Sequence, residues 1–501
     1  MQERQDYFLG IDIGTQSIKA VLCDVFGVLC AETTIPTNLV IIDGTTAYED
    51  VEDVLKNVID AIRETIEKAR VKKEDIKALG LAAQMAGIMA IDQNFNPVGP
   101  YDSWLDTRCS QYTEKIKDKL GNEVIKLSGG QLIHSHASKI LWRKHERPEE
   151  YARIAKFIQL NGYVAGKLCG LKSEEAFMDY TFLHFNCFSD NQNLIYNLKA
   201  LNAFDINPAK LPKIVSPLTV IGKVKKEYAK LCGLSENTEV IAGCGDTAAS
   251  SLGVGIVKPG LAYDVAGTAS VFACASRKFT PDYRHGTILS SRSVIEDLYL
   301  SLAYVSGGGL CLEWFSNLTN TPLRELDQLI DEVVDEKCAD LFFIPHFSGR
   351  AFPLDANLQG AFIGLSSTTE KKEMYKVILE AIAFEYKTYF DVLKSLGALK
   401  TIDAIYGVGG GVKSKVFNQI KADILEAKYC TLKNANSTPL AVALLAAKST
   451  GYNSKSLKEI FCKKPEDLMV VLPNEKKRDY YHRKYEKYKK IVNCYSSYIK
   501  K

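Results

Sequence analysis

Residues 238–253 carry an arrangement that could do chemistry. A strand-like apolar triplet, Val240, Ile241 and Ala242, runs into Gly243 and Gly245, and one carboxylate, Asp246, stands at the tip before a run of small residues fit to start a helix. A strand that ends in glycines presents its next side chain, and the N–H groups of the following helix, to whatever lies in front. Three readings fit. Asp246 could act as a general base that takes a proton from a substrate hydroxyl. Gly243, Gly245 and Ala248 could instead be a GxGxxA dinucleotide fingerprint, with Asp264 about 20 residues on as the ribose ligand. The third reading is a plain glycine turn of an α/β protein.

Asp12 sits two residues before a tight turn at Gly14, Thr15 and Gln16. A hairpin backbone with glycine in it can approach a phosphate closely, and a carboxylate beside it could hold Mg²⁺ through water. An incidental acid on a surface hairpin is the competing reading. Gly267-Thr268, between two strand-like runs in residues 260–275, repeats that plan and suggests a second phosphate loop, the pair clamping a nucleotide between two lobes. Trp104, Asp106 and Arg108 put an aromatic face, an acceptor and a planar donor in one short loop. Polyhydroxylated substrates want that mixture, although Asp106 and Arg108 could simply pair to build the loop. Gly410 and Gly411 follow another strand, and Asn418 on the next helix could meet an adenine edge. No Gly-Lys-[Ser/Thr] follows, so this is not a Walker A loop. His134 and His136 have no ligand cluster beside them and read as packing rather than as a metal pair.

The elements that must position these residues are legible as periodicity. Residues 7–34 predict an antiparallel meander, 50–70 an amphipathic helix, and 78–84 a buried strand. Residues 136–235 read as mostly helical, with a glycine cap at Gly170. A capping box of Ser367 and Glu370 predicts a helix to about Leu396, closed by Gly397, and Thr438 with Pro439 starts another. The basic tail carries Tyr481, Tyr485, Tyr488, Val492, Tyr495 and Ile499 at helical spacing, which predicts an amphipathic helix docking a tyrosine stripe. With 501 residues, two domains or more are expected. A net charge of +3 gives no argument for a nucleic-acid partner. Thirteen cysteines with no CxxC pair suggest reduced thiols, and the absence of any long uncharged apolar run predicts a cytoplasmic protein without a membrane partner.

Taken together, residues 10–16, 104–108, 242–249, 266–269 and 407–414 resemble, in order, the motifs of the FGGY family of carbohydrate kinases, and within it the xylulokinase branch. The resemblance implies a two-lobed actin-like α/β fold, divided at 1–254 and 255–501, and phosphorylation of a sugar or polyol by ATP with Mg²⁺, D-xylulose foremost and ribulose, erythritol or gluconate as alternatives. It makes Asp246 the base and gives Asp12 and Asp246 to magnesium. Gly14, Thr15, Gln16, Lys19, Gly267 and Thr268 go to the phosphates, and Gly410, Gly411 and Asn418 to the adenosine. Gln84, Met85, Ala86, Trp104, Asp106 and Arg108 would face the sugar. Many xylulokinases carry histidine where this chain has Ala86, a change that can shift specificity because the partner hydroxyl must find another group. A homodimer is left open. The rivals are a nicotinamide oxidoreductase built on the GxGxxA run and a non-catalytic actin-like scaffold.

Overall fold

The computed structural model describes residues 5–432 and 438–499. The chain forms two compact units: the described residues within Met1–Gly253, Ser290–Leu298 and Asn436–Cys462, and those within Val254–Leu289, Tyr299–Ala435 and Lys463–Lys501. Two contiguous halves were expected from the sequence. The division is discontinuous because Ser290–Leu298 and a late segment that carries the helix Thr438–Ser449 belong to the first unit.

The first unit is organised by strands β1 (Tyr7–Ile13), β2 (Ser17–Asp24), β3 (Leu29–Pro36), β4 (Ile76–Ala83), β5 (Val220–Lys223) and β6 (Glu239–Ile241). β1, β2 and β3 are the expected meander, and β4 and β6 add to it in parallel, with β5 antiparallel at the edge. The helix Val51–Ala69 packs on β2 and β3 through Val54, Leu55, Val58 and Ile62, and Asp50 caps it by accepting from Glu52 N–H and Asp53 N–H. On β1 and β4 the helix Thr438–Ser449 lies unusually close. Gly10 and Gly80 are register partners, and a Cβ on either would come within 1.8 Å of the Pro439 carbonyl oxygen or 2.3 Å of the Val442 carbonyl oxygen. Paired glycines thus let helix backbone rest directly on sheet backbone. That helix is apolar nearly all round, with Pro439 and Ala441 through Ala447 buried, so it needs a surface of this kind. Residues 136–235 are less helical than the pattern suggests. Short strands at Lys156–Ile158, Phe177–Asp179 and Lys213–Val215 and a 3₁₀ segment, Tyr180–Phe185, interrupt them.

The second unit repeats the plan. Strands β7 (Leu261–Ala266), β8 (Ser270–Ser276) and β9 (Tyr299–Val305) form an antiparallel meander, and β10 (Ala404–Val408) and β11 (Lys428–Leu432) add in parallel to β7, followed by antiparallel β12 (Leu468–Val471). The long helix is Lys371–Ser395. Its capping box is Glu370 with Glu373, one turn later than expected, because Ser366 and Thr369 are spent on a turn of their own. The tail helix Arg478–Ile499 docks on it as expected, with Tyr485 and Tyr488 rings 5.6 and 5.2 Å from Phe384. No helix among the described residues is long and apolar enough to cross a membrane.

The glycine pair makes a direct prediction. Gly10→Ala forces a methyl into helix backbone that has no rotamer to yield, so it should lower stability by about 2 kcal/mol or more. Thermal denaturation reads this as a lowered Tm, and an unchanged Tm would show that the helix is not seated on the sheet as described.

Candidate active site

The chemistry-bearing residues of the first unit hang from adjacent strand ends. β1 ends at Ile13 and the hairpin Gly14, Thr15, Gln16 returns it into β2, with the Gly14 N–H donating to Ser17 O at 3.1 Å. Asp12 and Lys19 are cross-strand partners on that hairpin and so share a face. β4 ends at Ala83, and Gln84 N–H donates to Ile13 O, which seats the Gln84, Met85, Ala86 segment beside the hairpin. After β6 the chain turns through Gly243, whose φ of +70° and a Cβ that would lie 1.8 Å from Leu81 O both demand glycine. Cys244 and Gly245 then pair with Ala82 and Ala83 of β4, and Asp246 opens the helix Asp246–Gly253.

Asp246 is half-buried, and its hydrogen bonds among the described residues fall on Oδ1, from the N–H and the hydroxyl of Thr247. Burial pushes its pKa up to about 6, with the Thr247 hydrogen bonds pulling the other way. Asp12 is pushed up to about 7, first by burial and then by the Asp246 charge, while Lys19 draws it down. Its Oδ1 is buried without a hydrogen-bond partner. Such an orphaned carboxylate oxygen fits a hydrated Mg²⁺, which takes one or two protein carboxylates and keeps waters for the rest. The described residues contain no cluster of three or more His, Cys, Asp or Glu suited to a metal. A fully caged ion is therefore not what these residues provide.

A hydrogen-bonded chain links Trp104, Thr15, Gln84 and Glu49. Trp104 Nε1–H donates to Thr15 Oγ1 at 3.0 Å, Thr15 donates to Gln84 Oε1 at 3.1 Å, and Gln84 Nε2 donates to Glu49. Trp104 keeps 47% of its surface exposed, so its ring is free as a wall. Glu49 was not legible as a site residue. It is fully buried, and burial pushes it up to about 7 despite the Gln84 hydrogen bond. Asp106 and Arg108 are a correction to the expectation that they face a sugar. Asp106 is buried and accepts from Ala47 N–H at 3.0 Å and from Arg108 Nε–H at 2.7 Å. Arg108 also donates to Asp102 and stacks over Trp142. Their donors and acceptors are spent on building the loop that presents Trp104. Met85 is buried against Gly245, and Ala86 has φ +62°, a left-handed conformation rarely held by a residue with a Cβ. His136 is buried against Gln159, 3.3 Å away, while His134 is half-buried.

In the second unit, β7 and β8 are joined by a turn at Gly267, Thr268 and Ala269, and Thr268 is exposed at its tip. The glycine run 307–309 exists to pack beneath that hairpin: Cβ atoms there would meet Pro345 O, Ser270 Oγ and Gly267 O at 2.2, 2.1 and 2.5 Å. At the end of β10, Gly410 faces open space, so a flat group can lie on its backbone. Asn418 gives its amide N–H to Val412 O at 2.8 Å and leaves Oδ1 buried and unpartnered, a fixed acceptor. Asp264, the acid required by the dinucleotide reading, is wholly buried between Lys421, Tyr386 and Tyr429. No ribose can reach it, and that reading fails.

Two glycine hairpins of one plan, with a carboxylate beside one and a desolvated carboxylate at a strand-to-helix turn, fit a phosphotransferase acting on an alcohol group. The chain belongs to the FGGY family of carbohydrate kinases: the family's N-terminal domain matches residues 7–253 and its C-terminal domain residues 262–450. It is similar to the xylulose kinase of Bacillus subtilis, 26% identical over 89% of each chain, and to the gluconokinase of the same bacterium, 28% identical over 89% of this chain and 88% of that one. Among solved structures it resembles the gluconate kinase of Lactobacillus acidophilus, with a TM-score of 0.89, 24% identity and 98% of both chains covered. The xylulose kinase of Rhodospirillum rubrum gives 0.90 at 22% identity over 99% of this chain and 100% of that one.

The pKa directions set a testable limb. A base works only when ionised, so kcat/KM should fall as pH drops through about 6 to 7 rather than near the ordinary carboxylate value of about 4. Lys19→Met removes the charge that draws Asp12 down, so the limb should move to higher pH. A limb near 4, unmoved by Lys19→Met, would remove the desolvated pair from the mechanism.

Proposed function

We propose that the protein transfers the γ-phosphoryl group of ATP to a hydroxyl of D-xylulose, with Asp246 as the base. The observation that carries the chemistry is a carboxylate at a glycine turn whose hydrogen bonds leave Oδ2 for a substrate and whose pKa is raised toward neutrality. Asp246 accepts the hydroxyl proton, the sugar oxygen bonds to the γ-phosphorus, and the bridging oxygen leaves with ADP. Trp104 offers an apolar wall to the sugar's C–H face, and the segment Gln84, Met85, Ala86 closes the pocket beside it. Gln84 arrives with its amide already oriented by Glu49 and Thr15.

We assign the phosphates to the backbone at Gly14, Thr15 and Gln16 and to Gly267 and Thr268, with Lys19 as a nearby cation. The adenosine goes to Gly410, Gly411 and the fixed acceptor of Asn418. Asp12, with Asp246 near it, would hold a hydrated Mg²⁺, which when bound neutralises charge on the transferring group. Positioning and charge neutralisation supply most of the acceleration in such a reaction, which accounts for a site of glycine hairpins and carboxylates with no nucleophile. The cellular setting that fits is the cytoplasm, where ATP and small sugars meet.

D-xylulose is favoured by the xylulose kinases among the similar proteins. Gluconate is the second reading, supported by the similar gluconokinase and by Ala86, whose left-handed backbone and methyl side chain offer no hydrogen bond where a polar side chain would meet a hydroxyl. ADP release with Mg·ATP against D-xylulose, D-ribulose, erythritol, glycerol and gluconate separates them, with turnover expected on D-xylulose. Asp246→Asn should cut kcat by about 10²- to 10⁴-fold while ATP binding persists. Retained turnover would remove Asp246 as the base, and turnover on gluconate alone would make Ala86 the mark of a different substrate.

A further inference from the structure

The direction of the Asp246 carboxylate is set by the backbone it hangs from, and two hydrogen bonds of that backbone go to side chains. The Ala242 carbonyl accepts from Asn161 Nδ2–H at 3.1 Å, and the Gly245 N–H donates to Thr181 Oγ1 at 2.9 Å. Both side chains end on one group. Asn161 Nδ2–H also donates to Asp179 Oδ2 at 3.2 Å, and the Thr181 hydroxyl and N–H both donate to Asp179 Oδ1, the latter at 3.0 Å. A hydroxyl has one proton. Because Thr181 gives it to Asp179, its lone pairs are turned toward the Gly245 N–H. Asp179 and Thr181 are wholly buried and Asn161 nearly so, which leaves no water to replace these bonds. Between the two tied points lies Gly243, the residue with positive φ, whose own N–H donates to Pro217 O at 3.1 Å.

We infer that Asp179 is a positioning residue for the kinase reaction: through Thr181 and Asn161 it clamps the turn at Gly245 and Ala242 and so aims Asp246. The inference rests on Asp246 being the base. A purely local role for Asp179, capping the 3₁₀ segment Tyr180–Phe185, would need only the Thr181 N–H; the link to Gly245, 64 residues away in sequence, is what reaches the site.

The test removes the hydroxyl and keeps the shape. Thr181→Val should lower kcat by about 10- to 100-fold with D-xylulose or gluconate as acceptor, since small misplacements of a reacting group cost that much. The KM values for acceptor and Mg·ATP should stay within about threefold, a KM-against-kcat split that loss of packing alone would not give. Thr181→Ser restores the hydroxyl and should restore kcat to within about threefold. Asp179→Asn, which keeps the volume and one accepting oxygen, should lower kcat in the same sense, and it reads the same link if Thr181→Val does not fold. A wild-type kcat in Thr181→Val, a loss confined to KM, a loss that serine does not rescue, or a wild-type kcat in Asp179→Asn overturns the inference. Asp246→Asn run alongside keeps the two levels apart. If it is inactive while Thr181→Val turns over normally, only the positioning role falls; if it stays active, the base and its positioning fall together.

Discussion

A carboxylate that must take a proton from an alcohol works best when it is poorly solvated, and poor solvation is what makes an ionised carboxylate expensive to keep. The first unit holds Asp246 and Asp12 under that constraint, each raised by burial and Asp12 raised further by its neighbour. Much of the surrounding architecture can be read as containing this cost. The Thr247 N–H and hydroxyl both donate to Asp246 at the start of its helix, and Lys19 stands on the Asp12 face of the hairpin. The glycines at 243 and 245 let backbone pass where a side chain would have pushed the carboxylate away from the strand ends.

The two units solve the same packing problem with one topology and differ in what they do with it. Each has a three-stranded meander extended by two parallel strands and an antiparallel edge, and each opens with a hairpin whose turn contains glycine and threonine. In the first unit the strand ends gather carboxylates and hydrogen-bonded polar chains. In the second, the buried charges are paired for structure: Asp264 with Lys421 across β7 and the helix Lys415–Leu425, and Glu385 with Arg350 at 3.0 Å beside Tyr488 of the tail helix. Removing one partner of such a pair leaves an uncompensated buried charge, which is why these groups belong to stability rather than to chemistry.

Loops that look chemical in sequence divide in the same way. Trp104, Asp106 and Arg108 form one run, yet Trp104 keeps the most open surface, while buried Asp106 pairs with the partly exposed Arg108. The glycine-rich run at 307–309 packs beneath the Gly267 hairpin.

The glycine turns, the carboxylates beside them, the order of many of the strands and helices that carry them, and through these the family, are legible along the chain. Local rules suffice for that, because a strand period, a helix cap and a glycine at positive φ are each readable within a few residues. Which polar groups are spent and which are left over depends on contacts made in three dimensions. Asp106 and Asp264 are buried and spent on structural partners, and Glu49, Asn161 and Thr181 reach Gln84, Ala242 and Gly245 through hydrogen bonds that span 35, 81 and 64 residues of chain. The helix Thr438–Ser449 likewise lies close on the first unit's sheet where Gly10 and Gly80 meet as register partners. Hydrogen-bond saturation and backbone approach are properties of groups brought together in space, and no spacing along the chain records them.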